Sequence, residues 1–421
     1  MSAQTTGDDA DELLAARTRL AESLQARGMA GEAVRAAFLA VPRHVFLSPE
    51  LAPEAYEDKA IAIKSGADGI PVSASSQPAI MAIMLEQLEL AAGHRVLEIG
   101  TGSGYNAALI AQIVGPAGSV VTIDTEPDLV DQARASLATL GLERVRVVCG
   151  DGAEGVPGRA PYDRIIATVG VWDLAPAWRE QLAAGGRIVA PISVRGIQLS
   201  VAFERATETE WTARSARRCG FVRLTGASAG PETLLPLGPQ PGLHALVTDG
   251  PAPDAETLYE AISGDAVEVP ALSGLALGGI AELADLDLWL ALTEPGLSRL
   301  VMMGRHEGHA DSAQRRIADR MPLGGFARYD SAGRLGLAAI AVPADGERPL
   351  GVAVLGYGPG GADLARHLAE RSAVWERLGR PGADSLELAV YPAGTRPDAI
   401  GGGLAIHRPS TVLVAGWPAS V

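Results

Sequence analysis

Residues 94–106 read His-Arg-Val-Leu-Glu-Ile-Gly-Thr-Gly-Ser-Gly-Tyr-Asn, and the fold is decided there. Val96, Leu97 and Ile99 form an apolar run long enough for a buried strand. Gly100 to Gly104 turn the chain, and Tyr105 to Val114 carries the pattern of a helix. Three glycines in the turn let the backbone pass close to a ligand and take positive φ values. The helix start behind them offers unpaired N–H groups to a carboxylate or polar tail. Val120 to Ile123 reads as a second strand ending in Asp124, about 20 residues after the turn, where an acidic side chain meets a ribose diol in Rossmann-like sites. Val145–Val148 makes a third strand, ending in Cys149-Gly150-Asp151-Gly152, a second acidic tip on the same sheet edge. This spacing suits a nucleoside lying across strand ends.

Upstream of the turn, residues 9–27 and about 31–40 predict helices. Residues 47–76 read as a loop region with at most a short strand at Ala60–Ile63, and Pro78 can open a helix running to about Leu90. Downstream, a fourth strand is expected at Arg164–Thr168, a helix at Ala177–Leu182 and a strand at Arg187–Pro191. Two more strands, Leu199–Glu204 and Cys219–Leu224, would close this half. The alternation predicts an α/β fold, a Rossmann-like doubly wound sheet with helices on both faces. A Gly-, Pro- and Ser-rich stretch then reads as a linker. Beyond it, strands are expected at 244–248, 286–292, 298–302, 325–329, 335–342, 350–355, 385–391 and 411–415. Helices are expected at 254–263, 310–320 and 361–378. The expected division is 1–46 as N-terminal helices of the catalytic domain, 47–227 as the catalytic domain, 228–242 as linker and 243–421 as an auxiliary α/β or α+β domain.

With 421 residues, the chain is long enough for two cores. No apolar run reaches the roughly 18 residues of a membrane span. The start, Met-Ser-Ala-Gln-Thr-Thr-Gly-Asp-Asp, lacks the basic and apolar segments of a signal peptide, so a cytoplasmic location is expected. Cys149 and Cys219 offer neither a disulfide framework nor metal-ligand spacing, and Cys149 reads as an inert core thiol. A net charge of −15 without a basic stripe opposes a nucleic-acid partner. Gly356-Tyr-Gly-Pro-Gly-Gly361 repeats the glycine spacing, but no acidic strand tip follows it, so it reads as a tight turn.

The word Leu-Glu-Ile-Gly-Thr-Gly-Ser-Gly-Tyr resembles motif I of S-adenosylmethionine-dependent methyltransferases. Val-Pro-Arg-His-x-Phe (41–46), Ala-Tyr-x-Asp (55–58), Ser-Gln-Pro (76–78), Gly-Asp-Gly (150–152), Ala-Pro-Tyr-Asp-Arg-Ile-Ile (160–166) and Gln-Leu-x-x-Gly-Gly-Arg (181–187) look like protein L-isoaspartyl O-methyltransferase, in that family's order over roughly residues 30–225. The resemblance implies S-adenosylmethionine as cofactor and its demethylated form, S-adenosylhomocysteine, as product. Gly100, Thr101, Gly102, Ser103 and Gly104 would cradle the methionine part, with Glu98 close to it. Asp124 and Thr125 would take the ribose hydroxyls, and Asp151 and Gly152 would meet the adenine edge. Ser75, Ser76 and Gln77 would line the reaction centre, with the Ser76 hydroxyl near the acceptor carboxylate. Thr225 falls where the family's tail returns toward the cofactor. His44, Asp58, Ser73, Val169, Gly170 and Trp172 are the candidates for substrate contact.

The chain departs from the family pattern in the long stretch before Ser-Gln-Pro, in Thr168-Val-Gly-Val-Trp-Asp173, and in everything after Gly242. This combination resembles the branch that methylates an aspartate of a ribosomally made precursor peptide (lanthipeptides, lasso peptides, graspetides), whose ester closes to an aspartimide. The alternative is an isoaspartyl repair enzyme with an extra domain; a protein that only grips a peptide is a third reading. A carboxylate with a pKa near 3.9 is already an anionic nucleophile at neutral pH, so no general base is needed. What the reaction requires is alignment of oxygen, methyl carbon and sulfur at roughly 3 Å.

Overall fold

The computed structural model describes residues 7–66, 70–224, 229–239, 242–248, 250–270, 275–302, 325–341, 350–395 and 403–418. Two helices, α1 (Gly7–Ala26) and α2 (Glu32–Ala40), lead to a 3-10 turn at Arg43–Phe46. The loop region expected next carries an antiparallel hairpin, β1 (Ile61–Ser65) and β2 (Pro71–Ser75). After it come α3 (Pro78–Leu88), β3 (Arg95–Ile99), α4 (Tyr105–Val114), β4 (Ser119–Asp124), α5 (Pro127–Thr139), β5 (Arg146–Cys149), β6 (Tyr162–Ala167), α6 (Pro176–Gln181), β7 (Leu182–Val194), β8 (Ile197–Arg205) and β9 (Trp211–Cys219).

The remaining elements are β10 (Thr233–Pro236), β11 (Leu243–Val247), α7 (Ala255–Ser263), β12 (Val267–Pro270), β13 (Ala276–Leu277), α8 (Ile280–Thr293), β14 (Ser298–Met302), β15 (Phe326–Tyr329), β16 (Leu335–Ala341), β17 (Leu350–Gly351), β18 (Ala353–Tyr357), α9 (Gly361–Arg377), β19 (Glu387–Pro392), β20 (Leu404–His407) and β21 (Thr411–Gly416). Among the described residues one sheet runs β20-β21-β19-β9-β8-β7-β6-β3-β4-β5 and another runs β10-β11-β14-β15-β16-β18-β12.

Helical crossovers make β3, β4, β5, β6 and β7 parallel, whereas β7, β8 and β9 pair antiparallel through short connections. Alternate side chains sort to the two faces. Val96, Ile166, Val189 and Ala202 pack with α2, α3 and α4, while Leu97, Ile165, Ile188 and Val201 pack with α6 and α8. The chain leaves β3 toward β4 on one side and returns to β6 on the other. Ligands in open α/β sheets bind at such a reversal, outside the carboxyl ends of the strands.

The large sheet does not stop at the expected linker. β19, from far along the chain, pairs with β9 at Thr212 and Trp211 and carries β21 and β20 beyond it. Within the expected linker, β10 pairs with β11. Residues 286–292, expected as a strand, lie inside α8. An unbroken apolar run fits a buried helix as well as a buried strand, and here both flanks are covered. Leu288, Ala291 and Leu292 join the core of the large sheet, while Leu283, Leu286, Trp289 and Leu290 join the core of the second sheet. The strand expected at Cys219–Leu224 ends at Cys219 and begins at Trp211, where three arginines hide the strand pattern. Cys149, expected in the core, is exposed at the tip of edge strand β5. The helix expected at 310–320 lies outside the described residues. No helix among the described residues is long and apolar enough to cross a membrane.

Candidate active site

A cavity of about 390 Å³ opens at the carboxyl ends of β3, β4 and β6. Its base is the glycine turn. Gly100 has φ +95°, and a Cβ there would lie 2.8 Å from Val169 Cγ1 and 2.9 Å from Thr168 Oγ1, so no larger residue fits. The turn is fixed by its neighbours: Gly100 N donates to Ile123 O (2.9 Å), Thr168 N to Ile99 O (2.9 Å), and Thr168 Oγ1 to Gly100 O (2.6 Å). Asp124 lines the cavity while its carboxylate accepts from Gly102 N at 2.9 Å and Glu126 N at 3.2 Å. Gly152 completes the base, and a Cβ there would collide with Ile99 Cγ2 at 2.5 Å.

Of the residues expected to hold the cofactor, Ser75, Gln77, Gly100, Thr101, Gly102, Ser103, Asp124, Thr125 and Gly152 line this cavity, as do Ser76, Ser73 and Val169. Others do not. Glu98, expected beside the methionine end, is fully buried beneath the turn. It accepts from Asn106 Nδ2 (2.8 Å) and Thr122 Oγ1 (2.6 Å), and Thr122 in turn meets Thr101 Oγ1 at 2.8 Å. Burial pushes the Glu98 carboxyl up to about 7. Its place makes it a support for the turn. Gly104 stands behind the cavity, where its missing Cβ lets α5 approach; a methyl would meet Ala133 Cβ at 3.0 Å. Asp151 accepts from Ala153 N (2.8 Å), capping the short helix that follows β5.

Over the turn lies the β1–β2 hairpin with Ser75, Ser76 and Gln77. Sequence reasoning assigned no role to Arg43, yet it holds this segment. Fully buried, it donates to Ser75 Oγ (3.2 Å), Ser75 O (3.0 Å), Ser76 O (2.8 Å) and Ala55 O (3.0 Å). The Ser75 hydroxyl is thereby turned toward Arg43. A guanidinium presents several donors in a rigid fork, which an ammonium cannot reproduce. Lys64 of β1 ties the hairpin across the mouth, meeting Glu126 Oε2 at 2.6 Å and Asp128 Oδ1 at 2.8 Å.

The expected substrate contacts divide. His44 is outside the cavity with Nδ1 2.8 Å from Tyr56 Oη, and burial lowers its pKa. Asp58 is also outside: Oδ1 accepts from Ala79 N (2.9 Å) at the start of α3, and Oδ2 pairs with Arg27 (2.7 Å). Gly170 lies behind one wall, its N donating to Val222 O and its O accepting from Leu224 N, both at 2.8 Å. Trp172, expected as a substrate wall, is covered by Arg408, whose guanidinium sits 4.4 Å from the ring centroid. Thr225 lies outside the described residues. That wall is formed by Cys219 to Leu224, seated by paired bonds between Phe221 and the Gln198 amide (2.6 and 3.1 Å). Its residues, Phe221-Val-Arg-Leu224, fall within the strand expected at Cys219–Leu224.

The sequence model for protein-L-isoaspartate(D-aspartate) O-methyltransferase matches residues 15–229. A protein-L-isoaspartate O-methyltransferase of Methanopyrus kandleri is 41% identical over 213 residues, 50% of this chain and 92% of that protein. One from Rhodopseudomonas palustris is 41% identical over 231 residues, 53% of this chain and 91% of its own. The Thermotoga maritima relative matches at 43% over 159 residues, half of its own length. Among solved structures, a protein-L-isoaspartate O-methyltransferase covers 89% of this chain and 96% of its own at TM-score 0.48 and 23% identity. A Plasmodium falciparum structure, described as a putative enzyme of the same name in complex with S-adenosyl-L-homocysteine, covers 50% and 98% at TM-score 0.42 and 20% identity. With a family match over half its length and a near-complete alignment to full-length relatives, this chain belongs to the protein-L-isoaspartate(D-aspartate) O-methyltransferase family, whose members are S-adenosylmethionine-dependent O-methyltransferases.

Proposed function

We propose that this chain methylates the free carboxylate of isoaspartyl residues in peptides and proteins, the activity of a repair methyltransferase. The observation carrying the reading is the cavity itself, built on a glycine turn that admits no Cβ at Gly100 and bordered by the Asp124 carboxylate. Its volume lies in the range of small-molecule sites. A base of Ile99, Ile123 and Gly152 suits a flat aromatic ring, and Asp124 suits a ribose diol, so the residues fit S-adenosylmethionine. When bound, that cofactor supplies an electrophilic methyl carbon on a sulfonium.

The chain's own work is positioning and exclusion of water. Gly100 to Ser103 present backbone at the base of the cavity, and Asp124 offers hydrogen-bond acceptance there. Ser73 and Ser76 bring hydroxyls to the opposite side, where they can donate to a bound carboxylate. Arg43 fixes the backbone that carries Ser76. The hairpin, fastened by Lys64, shields the cavity from solvent. A bound isoaspartyl carboxylate is already ionised at neutral pH, so its oxygen attacks with no proton to remove. The resulting ester has a better leaving group than hydroxide, and the neighbouring backbone nitrogen can displace it to form the cyclic imide.

The narrower expectation of a single precursor peptide draws no support from the relatives, which carry the isoaspartate name. A panel of isoaspartyl peptides with unrelated flanking sequences, incubated with labelled cofactor, separates the readings. Turnover across the panel is expected. Turnover of one sequence alone, or of none, would contradict the repair reading.

A further inference from the structure

In the wall formed by residues 219–224 the ladder of β9 ends at Cys219, and beyond it Gln198 and Gly170 hold the backbone by isolated bonds. At its upstream end stands Arg218, which itself lines the cleft. Its Nη2 lies 2.8 Å from Asp287 Oδ2, and its Nη1 donates to Ala284 O, both on α8. Asp287 is 1% exposed, on a helix packed against one core on each side. A carboxylate so placed has no water to solvate it and must be met by cations. Arg299 of β14 meets it with two nitrogens, at 2.7 and 2.8 Å, and is itself buried over Phe326. Two cores and Arg299 therefore fix where Asp287 stands, and Arg218 reaches from the cleft to it. All of α8 lies beyond the residues matched by the family.

We propose that Asp287 is a positioning residue for the cleft: through Arg218 it sets the wall 219–224, so that the region after residue 242 completes the site. The kinetic part of this inference rests on the isoaspartyl reading; the positional part does not. The test is a double-mutant cycle in the full chain with Asp287→Asn, Arg218→Gln and the pair, and with Glu294→Gln as control. Glu294 is a second buried carboxylate at the end of α8, paired with His367 and Arg371 and away from the cleft.

Both single variants are expected to speed amide hydrogen exchange at 219–224 and to raise KM for an isoaspartyl peptide, each by about tenfold. The expected change in kcat is less than about twofold. The double variant should be no worse than the worse single, because both break one tie. Glu294→Gln should move neither quantity even where it lowers the melting temperature as much. Losses that multiply in the double variant, or an equal KM change in Glu294→Gln, would overturn the proposal. So would wild-type exchange at 219–224 in Arg218→Gln, which leaves the Asp287–Arg299 pair intact and reads the tie even if Asp287→Asn does not fold. A wild-type chain that ignores isoaspartyl peptides, with 219–224 still loosened in the variants, would sink the acceptor assignment and leave the positional role standing.

Discussion

The two sides of the cleft are held in opposite ways. On the glycine-turn side every tie comes from nearby strands: Ile123 to Gly100, Asp124 to Gly102, and Thr168 back to the turn. On the other side Gln198 and Gly170 seat the wall locally, and further ties come from far along the chain. Arg218 leans on Asp287, and Arg408, between β20 and β21, donates to Trp172 O and to Ser193 O (2.6 Å) while stacking on the Trp172 ring. Asp173 accepts from Ser410 N (2.6 Å) and Thr411 Oγ1. A turn closed by its own neighbours keeps its shape whatever follows it. The opposite wall adds to its local bonds a few buried charges from the last third of the chain.

The largest effect on cofactor binding is expected where the locally closed side is broken. Gly100→Ala forces a Cβ into Val169 and Thr168 at a φ that L residues resist. About 1–3 kcal/mol of strain, roughly a 10- to 100-fold loss of S-adenosylhomocysteine affinity, should appear by titration calorimetry. On the remote side, Arg408→Met removes a buried cation and leaves the carbonyls of Trp172 and Ser193 without their donor. Burial lowers the Arg408 pKa to about 10, so it is charged at neutral pH. A stability loss of about 2–4 kcal/mol by denaturant unfolding is expected, with peptide turnover falling more than cofactor affinity. If cofactor affinity fell in step, the two sides would not be separable.

Glu98 sharpens the contrast from beneath the turn. Its folded pKa, about 7, stands above the ordinary carboxyl value, so between those values the native state holds a proton that the unfolded chain releases. Its contribution is therefore present at low pH and is lost as pH rises to about 7, on the order of 3 kcal/mol in all. Glu98→Gln, which can still bond Asn106 and Thr122, should flatten that slope in melting temperatures measured between those limits. The smallest effect is expected at the hairpin. Lys64→Ala removes half-exposed ion pairs to Glu126 and Asp128 and should speed S-adenosylhomocysteine release by roughly two- to fivefold in stopped-flow measurements.

This division also explains what could be read from the chain alone. The glycine turn, Asp124 and the parallel strands were legible because spacing and period encode them within short windows. Glu98 and Asp151 were placed at the ligand because the words that contain them belong to the site, although their side chains turn to Thr122, Asn106 and Ala153. Arg43 stood within a quoted word, but its acceptors are backbone carbonyls at 55, 75 and 76 that no pattern announces. The run at 286–292 gave no period to separate helix from strand; burial on both flanks decided it. Trp172 resembled a ligand-facing aromatic, but Gly230 and Arg408, 58 and 236 residues away, pack against it.

The most direct test uses one peptide sequence made twice, once with an ordinary aspartyl linkage and once with the isoaspartyl linkage. Both are offered to the purified chain with S-adenosylmethionine, and kcat/KM for ester formation is measured on each. Esterification of the isoaspartyl form with the aspartyl form left untouched is the predicted result. Equal esterification of both forms, or of the aspartyl form alone, would contradict the account.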